Sequence, residues 1–252
     1  MSKLGQYEQE ALFRAHQMVQ VVITRYRKYP VHPKPHLAGL KNMEALLANM
    51  DDSALTGGLE SFGAALAMEF VDPERKRTLK LKFLLGDTSK PAASYVLGFD
   101  GPQMQQKPGE FTHGCDTYMK EVDHEVTLLI LVMKPMDAKV QLAIMAEQPT
   151  IGVRVELFSI TQEMQLDPFK HVLQSKQEIV SKEFLQEHGI ATKILPRELV
   201  SYTLASGKKT DGSITAKWLG AKQGDVILHT CRSVAHQSQM YTKQLRLVEN
   251  AE

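Results

Sequence analysis

The sequence predicts an α/β protein built from an N-terminal α/β domain and a smaller C-terminal α+β domain. Residues 78–85 and 153–158 alternate charged with apolar side chains, the period-two pattern of half-buried strands. Residues 126–133 are almost continuously apolar, which is typical of a strand buried on both faces. A helical pattern at 137–147 lies between the last two strands. Strand, helix and strand in close order predict a parallel crossover unit.

The elements at the N-terminus follow from periodicity and turn residues. At residues 7–29, apolar side chains recur at three- and four-residue steps, which predicts a helix that stops before Pro30. Residues 40–50 predict a second, shorter helix. Further along, the pattern predicts a strand at 94–99 and a helix at 112–122.

The boundary between the domains is predicted at a polar connector, residues 159–168. We therefore expect the domains to span 1–162 and 169–252, both of ordinary size for a domain.

In the C-terminal domain, residues 175–188 predict a helix. Ser175 and Glu178 have the spacing of a capping box, and Gly189 stands where a helix-ending glycine is expected. The predicted apolar face of this helix comprises Ile179, Phe184 and Leu185. The rest of the domain predicts short strands and turns.

Composition limits the function classes. The net charge of +1 across 252 residues gives no global attraction to nucleic acid or membrane. Two cysteines, Cys115 and Cys231, without a CxxC pair argue against a disulfide framework or a four-cysteine zinc site. The longest apolar run is too short to cross a bilayer, and the first residues lack the apolar core of a signal peptide. We expect a cytosolic or nuclear protein.

The most informative motif is Thr215-Ala-Lys-Trp-Leu-Gly-Ala-Lys-Gln-Gly-Asp-Val-Ile227, called the Trp-Leu-Gly block below. It combines a helix end and a strand start, with Gly220 and Gly224 where the backbone must turn. A phosphate-binding loop is the alternative, but the lysine-threonine ending of a P-loop is missing.

This block resembles one family. Together with Leu195-Pro196-Arg197 upstream and Leu-Arg-Leu-Val at 245–248, it is similar to the fifth common subunit of eukaryotic nuclear RNA polymerases. In that family the C-terminal domain corresponds to a small, separate subunit of archaeal RNA polymerase. Positions identical to the family pattern are Ala216, Leu219, Gly220, Lys222, Gly224 and Val226, while Lys217 replaces an arginine and Trp218 a tyrosine.

The chain also departs from the family pattern. Ser213 and Ile214 replace Asp-Pro, Gln223 replaces a basic residue, an insertion occupies 205–212, and the hairpin tip at 234–239 is longer. These departures are those of a divergent paralogue, such as the RNA polymerase I isoform of a kinetoplastid.

The resemblance implies a non-catalytic structural subunit of a nuclear DNA-dependent RNA polymerase. Its C-terminal assembly domain would anchor on the largest subunit, and its jaw-like N-terminal domain would lie beside downstream DNA. The protein would be nuclear, or nucleolar for RNA polymerase I, and would need no cofactor of its own. The implied subunit-interface residues are Leu195, Pro196, Arg197, Lys217, Trp218, Leu219, Gly220, Lys222 and Gly224. The candidates for DNA proximity are Arg25, Arg27, Lys28, Arg75, Lys76 and Arg77. Lys80 and Lys82 belong to the same candidate patch.

Other interpretations remain open at this stage. Trp218 fits either an interface anchor or the core of a small domain. Asp72, Glu74 and Lys76 have the residue types of a magnesium-dependent nuclease, but their position in one short turn favours a charged turn. A free-standing adaptor is a third class.

A metal site is a further alternative, and its candidate ligands are His32, His36, His113 and Cys115. The prolines between the first two histidines prevent a helical pair of ligands.

Overall fold

The computed structural model describes residues 4–30, 34–85, 125–133, 154–167, 170, 174–203, 209–211, 213–232 and 241–250. These residues form helices and two mixed sheets, which confirms the predicted α/β class. The strand predicted at 94–99 and the helices predicted at 112–122 and 137–147 lie outside the described residues.

The chain divides into two compact units. The first unit comprises Met1–Thr24 and Lys28–Gln165, and the second comprises Arg25–Arg27 and Leu166–Glu252. The second unit therefore includes three residues that the sequence assigned to the N-terminal domain.

The helices of the first unit precede its sheet. The α-helices are α1 (Gln6–Val21), α2 (Met43–Ala48), α3 (Asp52–Thr56) and α4 (Gly58–Leu66), and a 3-10 helix spans Pro35–Leu37. The predicted helix at 7–29 is confirmed as far as Tyr26, with Val22–Tyr26 forming a π-helical turn, and residues 27–29 are not helical. The helix predicted at 40–50 is the shorter α2, and α3 and α4 were not predicted. None of the helices in the described ranges is long and apolar enough to span a membrane.

The first sheet has four described strands in the order β1-β2-β3-β4. They are β1 (Met68–Asp72), β2 (Arg77–Leu84), β3 (Glu125–Val132) and β4 (Arg154–Ser159). β1 and β2 are antiparallel, whereas β3 is parallel to both of its neighbours. Every residue of β3 except Glu125 is buried, as predicted for a central strand. The parallel pairing of β3 with β4 is also as predicted.

One detail of β2 differs from the sequence prediction. The alternation predicted that its lysines face solvent, but Lys80 is buried. Its Nζ lies 3.8 Å from the Glu69 carboxylate of β1, and this ion pair accompanies its burial.

The second sheet has five described strands in the order β5-β8-β9-β6-β7. They are β5 (Gln174–Val180), β6 (Arg197–Thr203), β7 (Lys209–Asp211), β8 (Val226–Arg232) and β9 (Tyr241–Asn250). β6 and β9 are parallel and the other pairs are antiparallel. The described part of this unit also contains two short α-helices, α5 (Lys182–Glu187) and α6 (Ile214–Leu219), and a 3-10 helix, Thr192–Ile194.

The prediction of a helix at 175–188 was wrong in its first half. Gln174–Val180 is strand β5, and its backbone groups pair with β8 instead of forming helical hydrogen bonds. The helix starts only after Ser181, whose Oγ accepts a hydrogen bond from the Phe184 N–H at 3.2 Å. Gly189, with a φ of +62°, follows the helix as predicted.

Candidate functional site

The Trp-Leu-Gly block forms α6 and the turn that follows it. Ser213 caps the start of the helix by accepting a hydrogen bond from the Ala216 N–H at 3.2 Å. The helix ends at Gly220, which is left-handed with a φ of +69°, and the Ala221 N–H donates to the Ala216 carbonyl at 2.9 Å. This is the arrangement of a glycine-terminated helix, so Gly220 has the backbone role predicted for it.

The second glycine of the block ties β8 to β9. Gly224 has a φ of +90°, and its N–H donates to the Val248 carbonyl at 2.8 Å. In the same turn, the Asp225 carboxylate accepts from the Lys222 N–H at 2.7 Å. The Val248 N–H donates to the Asp225 carbonyl at 2.8 Å. Gly224 therefore also has the predicted backbone role.

Trp218 lies in the core of the second unit. Its side chain has no exposed surface, and its ring centroid is 6.5 Å from that of Tyr26. Leu219, the next residue in the sequence, is also buried. Of the two interpretations of Trp218, the core interpretation fits its position, and its side chain is not available at a surface of the folded chain.

Arg27 is an internal part of the second unit. It is buried, and its Nε donates to the Trp218 carbonyl at 2.9 Å while Nη2 donates to the Lys217 carbonyl at 2.8 Å. A cation at this helix C-terminus also interacts favourably with the helix dipole. Since the guanidinium is committed to these carbonyls, Arg27 does not present its charge to DNA, contrary to the sequence prediction.

A buried polar cluster around Glu198 was not foreseen. Its carboxylate accepts a hydrogen bond from Ser213 Oγ and lies 2.9 Å from His229 Nε2 and 3.8 Å from Arg246 Nη1. Burial raises the pKa of Glu198, but the contacts with His229 and Ser213 and the Arg246 charge outweigh it and hold the pKa below its usual value. Glu198 and His229 lie on β6 and β8, which β9 separates, so no local pattern in the sequence signals their contact.

The predicted interface residues therefore fall into two groups. Trp218, Leu219, Gly220 and Gly224 build the fold of the second unit. Those with exposed or half-exposed side chains are Leu195, Pro196, Arg197, Lys217 and Lys222. Pro196 also anchors its segment, because its carbonyl accepts from the Leu247 N–H at 2.8 Å.

The basic residues proposed to lie near DNA are divided between the units. Arg25 is exposed in the second unit, and Lys28, Arg75 and Lys76 are exposed in the first. Arg77 is more enclosed. Its guanidinium lies 4.3 Å from the Tyr29 ring centroid, and its Nη2 is 2.9 Å from the Asp72 carboxylate.

The turn considered as a nuclease site is organised around Asp72. This carboxylate is buried, bonds to the Arg77 side chain and accepts from the Arg75 N–H at 3.2 Å. Burial raises its pKa, but the bonds and charges of the two arginines keep the pKa below its usual value. Glu74 is exposed in the same turn. These contacts are those of the predicted charged turn.

Of the proposed metal ligands, only His36 is described, and it is exposed. His32, His113 and Cys115 lie outside the described residues. Within the described ranges, no three His, Cys, Asp or Glu side chains are grouped so that they could hold a metal ion.

Neither a known protein-family profile nor a curated protein matches this sequence.

Proposed function

We propose that this chain is a non-catalytic structural subunit of a nuclear DNA-dependent RNA polymerase. Its second unit is the assembly domain that anchors on the largest subunit, and its first unit lies beside downstream DNA. The observation that supports this most is the backbone of the Trp-Leu-Gly block. The two glycines shared with the polymerase family, Gly220 and Gly224, both occupy left-handed positions that define the turns of this unit.

The chemistry of the second unit is consistent with a binding role. Ser213, Glu198 and His229 are the residue types of a hydrolytic triad, but their order in space differs from one. Glu198 lies between the serine and the histidine, whereas a triad needs the histidine against the serine. Ser213 also caps α6, so the cluster holds β6, α6 and β8 together.

Affinity purification tests the proposal. The chain is tagged, purified from its native cells at moderate salt after nuclease treatment, and its partners are quantified by mass spectrometry. We expect the large polymerase subunits in stoichiometric amount, and the identity of the largest subunit will name the polymerase.

A chain that elutes alone, or with an unrelated complex, would contradict this function. The same material is then assayed for magnesium-dependent DNA cleavage. Asp72→Asn is the matched variant, because Asp72 belongs to the turn whose residue types suggested a nuclease.

A further inference from the structure

The chain is nearly neutral as a whole, but its two units carry net charges of opposite sign. The second unit contains fourteen Lys and Arg residues against nine Asp and Glu residues, a net charge of +5. The first unit contains sixteen against twenty, a net charge of −4. The second unit is therefore the one that attracts an acidic partner.

Two apolar side chains are exposed where β6 begins in this unit. Ile194 is 81% exposed and Leu199 is 37% exposed. A 3-10 turn, in which the Leu195 N–H donates to the Thr192 carbonyl at 3.2 Å, holds the backbone beside Ile194. Leu199 follows Ile194 by five positions in the sequence, so their Cα atoms lie at most about 17 Å apart. One short segment of a partner can contact both.

Two cations accompany these apolar side chains. Arg197 has the same orientation as Leu199, because side chains two residues apart on a strand share a face. Its side chain is 69% exposed, and one Nη lies 2.8 Å from the Glu249 carboxylate. A guanidinium has five N–H donors, so this ion pair does not use all of them. Lys193, next to Ile194, is exposed. We call Lys193, Ile194, Arg197 and Leu199 the β6 surface.

We propose that the β6 surface binds an acidic segment of the largest polymerase subunit, in which Asp or Glu residues flank an apolar side chain. The carboxylates would pair with Arg197 and Lys193, and the apolar side chain would pack on Ile194 and Leu199. This inference rests on the proposed function and specifies its contact.

Other occupants fit this surface less well. A nucleic acid backbone would pair with the cations but would leave the two apolar side chains without a partner. A two-fold dimer through the same surface would bring Arg197 and Lys193 close to their own copies, and like charges oppose such an interface.

The test uses the tagged full-length chain in its native cells. Ile194→Asp and Arg197→Glu are each expected to lower the recovered largest subunit at least tenfold. Leu166→Asp is the matched control, since Leu166 is 79% exposed in the same unit, and it should recover as much as the wild type. The fluorescence of Trp218, buried in this unit, verifies that each variant is folded.

The outcomes separate the surface from the function. If the wild-type chain recovers no polymerase subunit, the proposed function fails. If the wild type recovers them and Ile194→Asp recovers as much, the function stands and the β6 surface is refuted. Recovery that disappears on nuclease treatment, or a purified wild-type dimer that Ile194→Asp dissociates, would also overturn the proposed occupant.

Discussion

Gly220 meets two structural demands at the end of α6. Its φ of +69° is a conformation that side-chain-bearing residues rarely adopt, and a Cβ there would lie 3.1 Å from Cζ of Arg27. Gly189 meets only the first demand, because its φ is +62° and a Cβ would meet no atom within 4 Å. The two glycines therefore allow the cost of the backbone conformation to be separated from the cost of displacing Arg27.

Gly220→Ala should destabilise the second unit more than Gly189→Ala. The left-handed conformation alone costs about 1–2 kcal/mol for a residue with a Cβ, which is the loss expected at Gly189. At Gly220 the loss should be larger because the arginine must also shift. Trp218 is the only tryptophan and is buried in this unit, so its fluorescence during urea unfolding measures the free energy of unfolding of the unit. Equal losses would show that Arg27 adapts freely.

Glu198 should give the second unit an acid-sensitive stability. Its pKa is lowered in the folded chain, so folding favours the ionised carboxylate. That stabilisation is present above the unfolded pKa of about 4.3 and is lost as pH falls through the lower folded pKa. The unfolding free energy measured by Trp218 fluorescence should therefore decrease as the pH is lowered below about 4.3.

Glu198→Gln should show a weaker fall over the same acid range, since the amide does not titrate. Glu187→Gln, at an exposed position of α5, is the control and should follow the wild type. If Glu198→Gln and wild type lose stability in parallel, other carboxylates govern the acid response.

At the scale of the elements, local sequence patterns predicted the helices and strands whose formation depends mainly on local interactions. The apolar run of β3 and the periodicity of α1 are strong signals, and both elements are present. At β5 the spacing of Ser175 and Glu178 imitated a helix cap, but pairing with β8, some fifty residues away, determined a strand. The Glu198 cluster also depends on long-range strand order, so local sequence patterns could not predict it.

The contact between α4 and β2 depends on Gly63. A Cβ at Gly63 would lie 2.3 Å from the backbone carbonyl oxygen of Phe83, so the helix can approach the strand only without a side chain there. Helix propensity alone predicts that Gly63→Ala stabilises by about 1 kcal/mol. Overpacking costs about 1–3 kcal/mol and works in the opposite direction.

We expect Gly63→Ala to be destabilising, because the obstructing atom belongs to the backbone and cannot rotate away. Urea unfolding followed by far-ultraviolet circular dichroism measures the change. Ala64→Gly, at the exposed neighbouring position, gives the propensity term alone and should cost about 1 kcal/mol. A stabilised Gly63→Ala variant would mean that α4 moves away from β2 without loss.

At the scale of the whole molecule, the second unit is not a single stretch of chain. Arg27 and Trp218 are 191 positions apart, and the Tyr26 hydroxyl donates to Asp167, 141 positions away, at 2.7 Å. Burial and the Asp167 carboxylate both raise the pKa of Tyr26, so this hydroxyl keeps its proton and remains a donor. A boundary drawn from a polar connector could not include residues so distant in sequence.

The segment Arg25–Arg27 should therefore stabilise a unit whose remaining sequence lies at the other end of the chain. In the full-length protein, Arg27→Met keeps the apolar stem but removes the bonds to the Trp218 and Lys217 carbonyls. Hydrogen bonds from a charged group contribute about 1.5–3 kcal/mol, and the unfolding free energy from Trp218 fluorescence should fall by that amount. Arg25→Met, at an exposed position, should leave it unchanged.

A fragment of residues 166–252 extends this comparison, because it lacks Tyr26 as well as Arg27. It should unfold at lower urea than the second unit of the Arg27→Met chain, since it loses the bond to Asp167 in addition. If the fragment were as stable as the second unit of the full-length chain, residues 25–27 would be dispensable. The C-terminal part would then fold independently of them.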